Sequence, residues 1–325
     1  MSRTPISLII DDGAPVNLYY FHDLMHNHEL LVPVEQVVRF ADICEKYGVR
    51  GKFSVVPMPA GLGRIDRGLS HCPQEHLDSF IKAVRERIMP MFSLTPEIIS
   101  HFRAYNVKEE RFLHVMEDVY FSKLDAEQIA DYVSYAIRIL CNVDLVPEGV
   151  TSPWMTGIDN EQNYARGIGM AFKRTLNHDR SFYFLHNDST LKAPVVVCNS
   201  TETGKVVSIP RNLPDIFWPG NSLGTDEEVK TAIANGVDGI LGADGRSGKL
   251  LERIDSGGPV VLITHWTSLF SDGKFYGLDG FECLMERIKR HVGSQIEWMT
   301  FSQLAELVVS KQLCALHTLA CRLCK

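Results

Sequence analysis

The sequence contains no apolar run that approaches the ~18–20 residues of a transmembrane helix, so we expect no membrane span. It also lacks a basic tract, because 33 Lys and Arg stand against 40 Asp and Glu, which gives a net charge of -7. Nucleic-acid binding needs clustered cations that neutralise phosphates, so a nucleic-acid partner is not expected. No serine lies in a Gly-x-Ser-x-Gly elbow, so the sequence gives no support to a serine hydrolase.

Internal repeats, low-complexity linkers and a break in composition are absent as well. We therefore predict a single domain over residues 1–311 and a tail of uncertain structure over residues 312–325. The N-terminal apolar segment ends at Asp11, too early for a secretory signal, so we expect a cytoplasmic protein unless a leader has been removed. The oligomeric state has no signature in the sequence.

Five of the eight cysteines are scattered singly among apolar neighbours, which is typical of small buried side chains. The other three, Cys314, Cys321 and Cys324, cluster with His317 near the C-terminus. A helical tail would place these four on one face, but over about 15 Å, which is too far to surround one ion. We expect a terminal amphipathic helix or a frayed tail there rather than a metal site.

Short apolar runs alternate with segments of helical periodicity along the chain. Strands are predicted over Ile6–Ile10, Lys52–Val56, Met91–Leu94, Gly149–Ser152, Phe182–Leu185, Val195–Cys198, Val206–Ile209, Val260–Thr264 and Ile296–Met299. Helices are predicted over Val34–Tyr47, Glu75–Arg87, Asp125–Asn142, Thr225–Asn235, Gly277–Val292 and Phe301–Lys311. This alternation indicates a parallel sheet covered by helices, and seven or eight such units suit an α/β barrel.

Polar residues cluster where the predicted strands end. They are Asp11, Asp12, His101, His265 and the segment Ser152–Trp154. In a parallel barrel these ends form one face, on which active sites lie. Adjacent carboxylates followed by glycine suit a metal site in which one ligates and the other acts as a base, although Asp-Gly is also a common turn pair.

The ordered set of these segments resembles the polysaccharide deacetylase-like carbohydrate esterases, over most of residues 5–305. Ile6–Gly13 is similar to a first motif that ends in Asp-Asp-Gly, and Gly51–Val56 to the strand that follows it. Glu97–His101 resembles the second motif, Glu-Ile-Gly-Asn-His, and Leu262–His265 the last, Leu-Leu-His. The third motif, an Arg-x-Pro strand end, is only loosely similar to Thr151–Trp154.

The resemblance implies a distorted (β/α)7 TIM-like barrel and metal-assisted deacetylation of a carbohydrate or a carbohydrate-like substrate. It implies Asp11 as the general base and His265 as the general acid. Asp12 and His101 would be ligands of a divalent zinc, cobalt, nickel or manganese ion. Such an ion polarises the acyl carbonyl and lowers the pKa of a bound water. The expected partner is a small-molecule or oligosaccharide substrate.

Two departures from the family pattern stand out. The second motif of the family has another His four residues after the first, where this chain has Tyr105, and the Arg of the third motif is absent. A third metal ligand must then come from elsewhere, since a catalytic zinc typically has three protein ligands. Candidate replacements are His114, Glu117 and the loop residues His22, His26 and His28.

Two alternative functions stay open from the sequence. A metal-free glycoside hydrolase would pair Asp11 or Asp12 with Glu117. A non-catalytic carbohydrate-binding barrel would use aromatic side chains near the strand ends, which stack on sugar faces. The residues we assign to substrate binding are Ser152, Trp154, Trp266 and Glu117.

Overall fold

The computed structural model describes residues 3–20, 29–187, 193–222 and 224–310. The strands are β1 (Thr4–Asp11), β2 (Gly51–Val55), β3 (Gly63–Arg64), β4 (Gly68–Leu69), β5 (Phe92–Pro96), β6 (Arg103–Asn106), β7 (Arg111–Met116), β8 (Gly149–Ser152), β9 (Arg180–Leu185), β10 (Val195–Ser200), β11 (Gly204–Ser208), β12 (Val260–His265) and β13 (Ile296–Trp298). The helices are α1 (Val34–Tyr47), α2 (Gln74–Ala83), α3 (Glu117–Phe121), α4 (Ala126–Cys141), α5 (Glu161–Leu176), α6 (Asp226–Ile240), α7 (Lys249–Asp255), α8 (Trp266–Phe270), α9 (Tyr276–Val292) and α10 (301–310).

Seven parallel strands follow one another around a distorted barrel. One sheet has the order β12-β1-β2-β5, with β13 also paired to β1, and a second has the order β8-β9-β11, with β10 antiparallel on its edge. Parallel bridges from Leu94 to Pro147 and from Glu97 to Thr151 join β5 to β8. The circuit β1-β2-β5-β8-β9-β11-β12 therefore has two weak seams, one at β5-β8 and one at β11-β12.

Asn212 spans the seam between β11 and β12. Its backbone N–H donates to the Val261 carbonyl over 3.1 Å, and its side-chain Oδ1 accepts from the Val261 N–H over 2.9 Å. Its Nδ2 donates to the Pro259 carbonyl over 2.8 Å. Asn212 thus satisfies both backbone groups of Val261 at the edge where β12 has no neighbouring strand among the described residues.

Side chains on each strand alternate between the barrel interior and the surrounding helices, because the strand repeat is two residues. On β1, Leu8 and Ile10 pack into the outer core with the helices, whereas Ile9 packs inward with Phe184 and Ile263. Phe301, Leu304 and Ala305 of α10 join this inner cluster. The lower end of the barrel, at the strand N-termini, is therefore apolar and is covered by α10.

Local signals explain where the main helices begin and end. Asp125 and Gln128 form a reciprocal capping box at the start of α4, and Thr225 and Glu228 form another at the start of α6. Gly48 ends α1 with a φ of 73°, a left-handed conformation that glycine adopts without strain. The bounds of α1 and α4 agree with the sequence predictions. The helix α6 ends five residues later than predicted, because no capping residue marks its C-terminus.

The sequence did not predict α5, which is the main error in the fold. Gly167 and Gly169 lower its helix propensity and interrupt its apolar pattern. They serve packing instead: a Cβ on Gly167 would lie 2.6 Å from Ile129 of α4, and one on Gly169 would lie 2.6 Å from Thr203. The segment 112–121, assigned to no element from sequence, forms all of β7 except its first residue and all of α3.

The predicted α/β class is confirmed, and the predicted parallel strands are present within a few residues of their expected bounds. Within the described ranges, no helix is long and apolar enough to cross a membrane. Five cysteines of these ranges are free thiols; Cys44 and Cys72 are buried as predicted, whereas Cys141 and Cys198 are half-buried, and the prediction is wrong for Cys283, which lies exposed on α9. The Cys314–Cys324 cluster with His317, and the residues His22, His26 and His28, lie outside the described residues. The domain division at residue 311 stays a prediction.

Candidate active site

The upper end of the barrel carries polar residues at inward positions. Two residues beyond Ile9 in β1 comes Asp11, and the same step from Phe184 and Ile263 leads to His186 and His265. Thr95 of β5 likewise precedes Glu97 by two residues. The strand repeat therefore directs the last side chain of several strands into one space above the apolar interior.

Two compact groups of candidate ligands lie at this end of the barrel. We call Asp12, Glu97 and His101 the Asp12 cluster, and Asp11, His186 and His265 the Asp11 cluster. In each group, one ligand atom from every residue lies within 4.8 Å of the others. The two clusters begin at neighbouring residues: Asp11 is the last residue of β1 and contacts Lys52, whereas Asp12 follows the strand and contacts His101.

The three side chains of the Asp12 cluster are buried. His101 Nε2 lies 2.9 Å from Asp12 Oδ1 and 3.5 Å from Glu97 Oε1. Glu97 Oε2 accepts hydrogen bonds from the Asp12 backbone N–H over 2.7 Å and from Ser54 Oγ over 2.6 Å. Tyr19 donates its hydroxyl hydrogen to Asp12 Oδ2 over 3.2 Å. The carboxylates are thus fixed by neighbouring groups and leave one side open to His101.

The electrostatics of the Asp12 cluster reflect crowded negative charge. Burial, followed by the charges of Asp12 and Asp11, raises the pKa of Glu97 to about 8. Burial alone would lower the pKa of His101, but the nearby charge of Asp12 outweighs it and raises that pKa to about 9. Burial also opposes ionisation of Asp12, yet His101 lowers its pKa to about 2. No lysine or arginine of the described chain forms an ion pair with these three side chains.

The loop that carries His101 is shaped by Glu117. Glu117 Oε1 accepts hydrogen bonds from the backbone N–H groups of Ile99 and Ser100, each over 3.1 Å, and Oε2 accepts from that of His101 over 2.9 Å. Tyr132 donates its hydroxyl to Oε1 over 2.7 Å. Burial raises the pKa of Glu117 to about 7, although these hydrogen bonds oppose the shift. Glu117 therefore faces the loop backbone and positions His101.

Backbone strain is concentrated around the same loop. Asp12, His101 and Trp154 have φ values of 66°, 73° and 50°, a left-handed region that non-glycine residues rarely occupy. Each such residue costs of order 1–3 kcal/mol and persists only where surrounding contacts fix it. The hydrogen bonds of Glu117 to the loop supply such contacts, and Trp154 Nε1 donates to the His101 carbonyl over 3.0 Å.

The Asp11 cluster differs because a buried lysine enters it. Lys52 of β2 is fully buried and donates hydrogen bonds to Asp11 Oδ1 and, over 2.5 Å, to Thr151 Oγ1. His186 Nδ1 lies 3.4 Å from Asp11 Oδ2, so both oxygens of this carboxylate are engaged. His265 Nδ1 lies 2.7 Å from Asp215 Oδ2. The cluster thus consists of two Asp–His pairs with Lys52 beneath one of them.

The histidines of these two pairs have pKa values that are shifted in opposite directions. Burial would lower the pKa of His265, but its hydrogen bond to Asp215 and the nearby carboxylates raise that pKa to about 9. For His186, burial is the largest influence and lowers the pKa, helped by the charge of His265. Burial raises the pKa of Asp11, yet Lys52 outweighs it and holds that pKa well below its usual range. His265 is therefore charged and His186 neutral near pH 7.

A small pocket of about 40 Å³ connects the two clusters. It is lined by Tyr19, Glu97, His101, Pro153, Trp154, His186, Trp218 and His265. A buried water needs ~10–15 Å³, so the pocket has room for a water and a small group. A larger cavity of about 550 Å³ lies at the opposite end, beside the strand N-termini Arg180 and Lys205, far from both clusters.

The sequence-based site residues fall into two groups. His101, His265 and Trp154 line the pocket, and Asp11 and Asp12 lie behind it in the two clusters, whereas Ser152, Glu117 and Trp266 belong to neither the pocket nor the clusters. The Ser152 hydroxyl is buried and lies 2.6 Å from the Tyr164 hydroxyl. Trp266 is fully buried and packs on Phe40 and Phe53 with ring centroids 5.7 and 5.3 Å apart.

The replacement-ligand candidates have different outcomes. His114 is exposed on β7 and belongs to neither cluster. Tyr105, at the position of the family's second His, is buried against Phe112 with ring centroids 5.1 Å apart. Glu97 is the third member of the Asp12 cluster instead, and it lies four residues before His101 rather than four after it.

Four site residues were missed from the sequence: Lys52, Glu97, His186 and Asp215. The inward register of β2, β5 and β9 could have indicated the first three, since each follows the two-residue repeat. Asp215 lies in an irregular segment between β11 and α6 and reaches His265 across 50 positions of sequence. No local pattern marks such a contact.

Comparison with known proteins shows the fold. No family profile and no curated protein matches the chain. A putative glycoside hydrolase/deacetylase from Parabacteroides distasonis has a TM-score of 0.56 at 12% identity over 94% of this chain and 70% of that one. A probable polysaccharide deacetylase from Pseudomonas aeruginosa PAO1 has a TM-score of 0.52 and Puue allantoinase one of 0.51, each at 12% identity over 93% of this chain and 89% of the other. The predicted deacetylase-like α/β barrel fold is confirmed.

Proposed function

We propose that this protein is a hydrolase that cleaves an amide or ester bond of a small carbohydrate or carbohydrate-like substrate with the help of a divalent cation. The observation that carries the proposal is the Asp12 cluster, in which two buried carboxylates share one imidazole. It lies across a small pocket from His265, which holds a proton. A cation site and a proton donor on opposite sides of one pocket suit hydrolysis of an acyl group.

The residues of the Asp12 cluster fit a catalytic cation. Two carboxylates and one imidazole make three protein ligands, the number found in catalytic zinc sites, and they also suit cobalt, nickel or manganese. Asp12 Oδ1 is buried and accepts no hydrogen bond of good geometry, although His101 Nε2 lies 2.9 Å away. When bound, the cation would polarise the acyl carbonyl and lower the pKa of a bound water.

His265 would act as the general acid. Its Nδ1 faces Asp215, so its Nε2 hydrogen is the one available to the leaving group. Asp11, kept ionised by Lys52, would stabilise a positive charge that forms beside it during the reaction. Trp154 and Trp218 are each 37% exposed at the pocket and would contact the faces of a sugar ring.

The substrate class follows from the pocket and from the fold relatives. The space of about 40 Å³ favours a short acyl group such as acetyl over a longer one. Fold relatives named deacetylase and allantoinase favour a hydrolase of acyl bonds. A carboxylate pair with Glu117, as a glycoside hydrolase would need, has little support because both Glu117 oxygens accept loop N–H groups.

The test is an acetate-release assay on the purified chain after chelation and reloading with zinc, cobalt, nickel or manganese. N-acetylglucosamine oligomers, O-acetylated sugars, a cyclic ureide and nitrophenyl glycosides form the panel. We expect cation-dependent release from an amide or ester that Asp12→Asn abolishes. The matched control is Asp131→Asn, which changes an exposed aspartate of α4 and should keep wild-type activity.

Two results would overturn the proposal. Cation-independent cleavage of a nitrophenyl glycoside would favour a glycosidase. Binding of the sugars without any hydrolysis, in the wild type loaded with each ion, would favour a carbohydrate-binding barrel.

A further inference from the structure

His186 is placed at the pocket by β9. The strand pairs with β8 on one side and β11 on the other, so its direction is fixed along its whole length. His186 is the residue after the last one of β9 and continues the inward series of Phe182 and Phe184. Its ring lies 5.1 Å from that of His265, centroid to centroid, and it lines the same pocket.

The contact with Asp11 sets the tautomer of His186. Nδ1 faces Asp11 Oδ2 at 3.4 Å, and Asp11 can only accept a hydrogen bond in its ionised form. Nδ1 therefore carries the hydrogen, which leaves a lone pair on Nε2. Among the described residues, none forms a hydrogen bond with Nε2. A neutral imidazole oriented by a carboxylate is the arrangement that general-base histidines use.

Asp11 itself is a poor proton acceptor. Lys52 occupies one carboxylate oxygen and His186 the other. A proton placed on Asp11 would also leave the charge of the fully buried Lys52 without its counter-ion, which is unfavourable in a low-dielectric interior. The carboxylate is better suited to stabilise a positive charge that forms on its other neighbour, His186.

We propose that His186 is the catalytic residue that accepts the proton of the attacking water, with Asp11 as its positioning and charge-stabilising partner. This inference rests on the proposed hydrolase function. The two histidines of the Asp11 cluster then have opposite roles. His186 accepts a proton from the attacking water, and His265 donates one to the leaving group.

The proton balance of the reaction closes with these two residues. As the water oxygen forms a bond to the acyl carbon, one water proton passes to His186 Nε2 and the carbonyl electron pair moves to its oxygen. When that pair returns, the C–N or C–O bond breaks and His265 gives its proton to the leaving atom. Charged His186 and neutral His265 then exchange a proton, directly or through water, which restores the starting state.

The groups that face His186 support this division. Asp11 and Asp12 face it from the end of β1, and His265 from the end of β12, where it carries the opposite duty. Phe184 contacts it from its own strand with ring centroids 6.1 Å apart. Burial lowers the pKa of His186, so its Nε2 is free of a proton at the pH where His265 is charged.

The kinetic test uses His186→Asn, whose amide can still donate to Asp11 but cannot accept a proton. With the acyl substrate found for the wild type, kcat should fall by at least about 100-fold with little change in KM, since general-base groups contribute 10²–10⁴-fold. Bound cation should be retained. The matched control is His114→Asn on exposed β7, which should keep wild-type kinetics. Added imidazole should restore at least ~10-fold of the lost rate in His186→Ala, because it can replace the missing base.

Outcomes of the kinetic test separate the two proposals. If the wild type hydrolyses an acyl substrate and His186→Asn retains a kcat within a few-fold, the role of His186 is wrong and the hydrolase function stands. If the variant loses activity without rescue by imidazole and also loses its cation, His186 serves the structure and the inference fails.

A second measurement needs no substrate. Long-range ¹H–¹⁵N NMR of histidine-labelled protein, with the His186 signals assigned by their loss in His186→Asn, reports which ring nitrogen carries the hydrogen. At pH 7 we expect a neutral ring with the hydrogen on Nδ1. A hydrogen on Nε2, or a charged ring, would overturn the inference even if no substrate had been found.

Discussion

The two clusters at the upper end of the barrel contain similar residues but differ in charge. Each combines an aspartate from the end of β1 with histidine nitrogen within 4.8 Å. In the Asp11 cluster, Lys52 neutralises Asp11 and charged His265 neutralises Asp215. In the Asp12 cluster, two carboxylates share a single imidazole, and no lysine or arginine of the described residues pairs with them.

We propose that this difference separates cation binding from proton transfer. In the Asp12 cluster the second carboxylate is compensated by a proton, since the pKa of Glu97 is raised to about 8, and a divalent cation can displace that proton and the one on His101. In the Asp11 cluster the buried ammonium of Lys52 already pairs with the carboxylate, so a cation gains little there and the histidines stay available for protons. Both clusters consist of His, Asp and Glu side chains, and the buried Lys52 is what sets the Asp11 cluster apart.

The largest expected effect comes from breaking the charge balance of the Asp11 cluster. Lys52→Met leaves Asp11 as an uncompensated buried charge, so we expect the free energy of unfolding to fall by about 3–5 kcal/mol. Denaturant unfolding measures it. The matched control, Lys46→Met, removes an exposed lysine that pairs with Glu282 and should have little effect. The double variant Lys52→Met/Asp11→Asn should recover part of the loss. An unchanged midpoint in Lys52→Met would refute the charge balance.

The second-largest effect is expected on the affinity for a divalent cation. Asp12→Asn removes a proposed ligand, so divalent-ion affinity should fall by at least about 100-fold, more than is typical of losing an outer partner. Asp215→Asn, which alters only the Asp11 cluster, should change that affinity little. Calorimetric titration with zinc or manganese compares the two variants. Equal losses of affinity in both variants would mean that the two clusters do not differ in cation binding.

A smaller effect should follow from Glu117→Gln, which sharpens the comparison without touching a ligand. The amide of Gln cannot accept every N–H that the carboxylate accepts from residues 99–101, so the His101 loop should loosen. Outer-shell changes of this kind weaken metal binding by ~10–100-fold. Tyr132→Phe, which removes one hydrogen bond to Glu117, should have the milder effect. A metal titration that ranks the affinities of the two variants checks this prediction.

The smallest effect is expected at the pocket rim. Trp154→Ala removes an exposed ring that belongs to neither cluster, and an aromatic contact is worth ~0.5–1.5 kcal/mol. KM for a sugar substrate should rise by ~2–12-fold with kcat nearly unchanged. The KM of Trp154→Phe should lie between that of the wild type and that of Trp154→Ala. A drop in kcat alone would show that Trp154 acts on His101 through its hydrogen bond rather than on the substrate.

Sequence reasoning identified the residues that stand next to strong local patterns. Asp11, Asp12 and His265 follow continuous apolar strands, and these strands form the barrel as expected. Lys52 was not predicted as a site residue, because one charged residue at the start of an apolar run resembles an ordinary solvent-facing position. Its burial depends on pairing with Asp11 from another strand, which only the assembled barrel reveals.

Other features depended on contacts that no local pattern records. The two glycines that lower the helix propensity of α5 are explained by tertiary contacts, since α4 approaches Gly167 closely and Thr203 approaches Gly169. Asp215 and His265 meet across 50 positions of sequence. The strand repeat, applied beyond the strand ends, would have placed His186 and Glu97 on the inner face, so part of the missing site was accessible to sequence reasoning.

We propose that the Asp12 cluster holds the cation and that the Asp11 cluster does not. Anomalous diffraction at the zinc or manganese edge, from crystals soaked in that ion, tests it most directly. We predict a single strong peak about 2.0–2.2 Å from ligand atoms of Asp12, Glu97 and His101. A peak among Asp11, His186 and His265, or no peak at either cluster, would contradict the account.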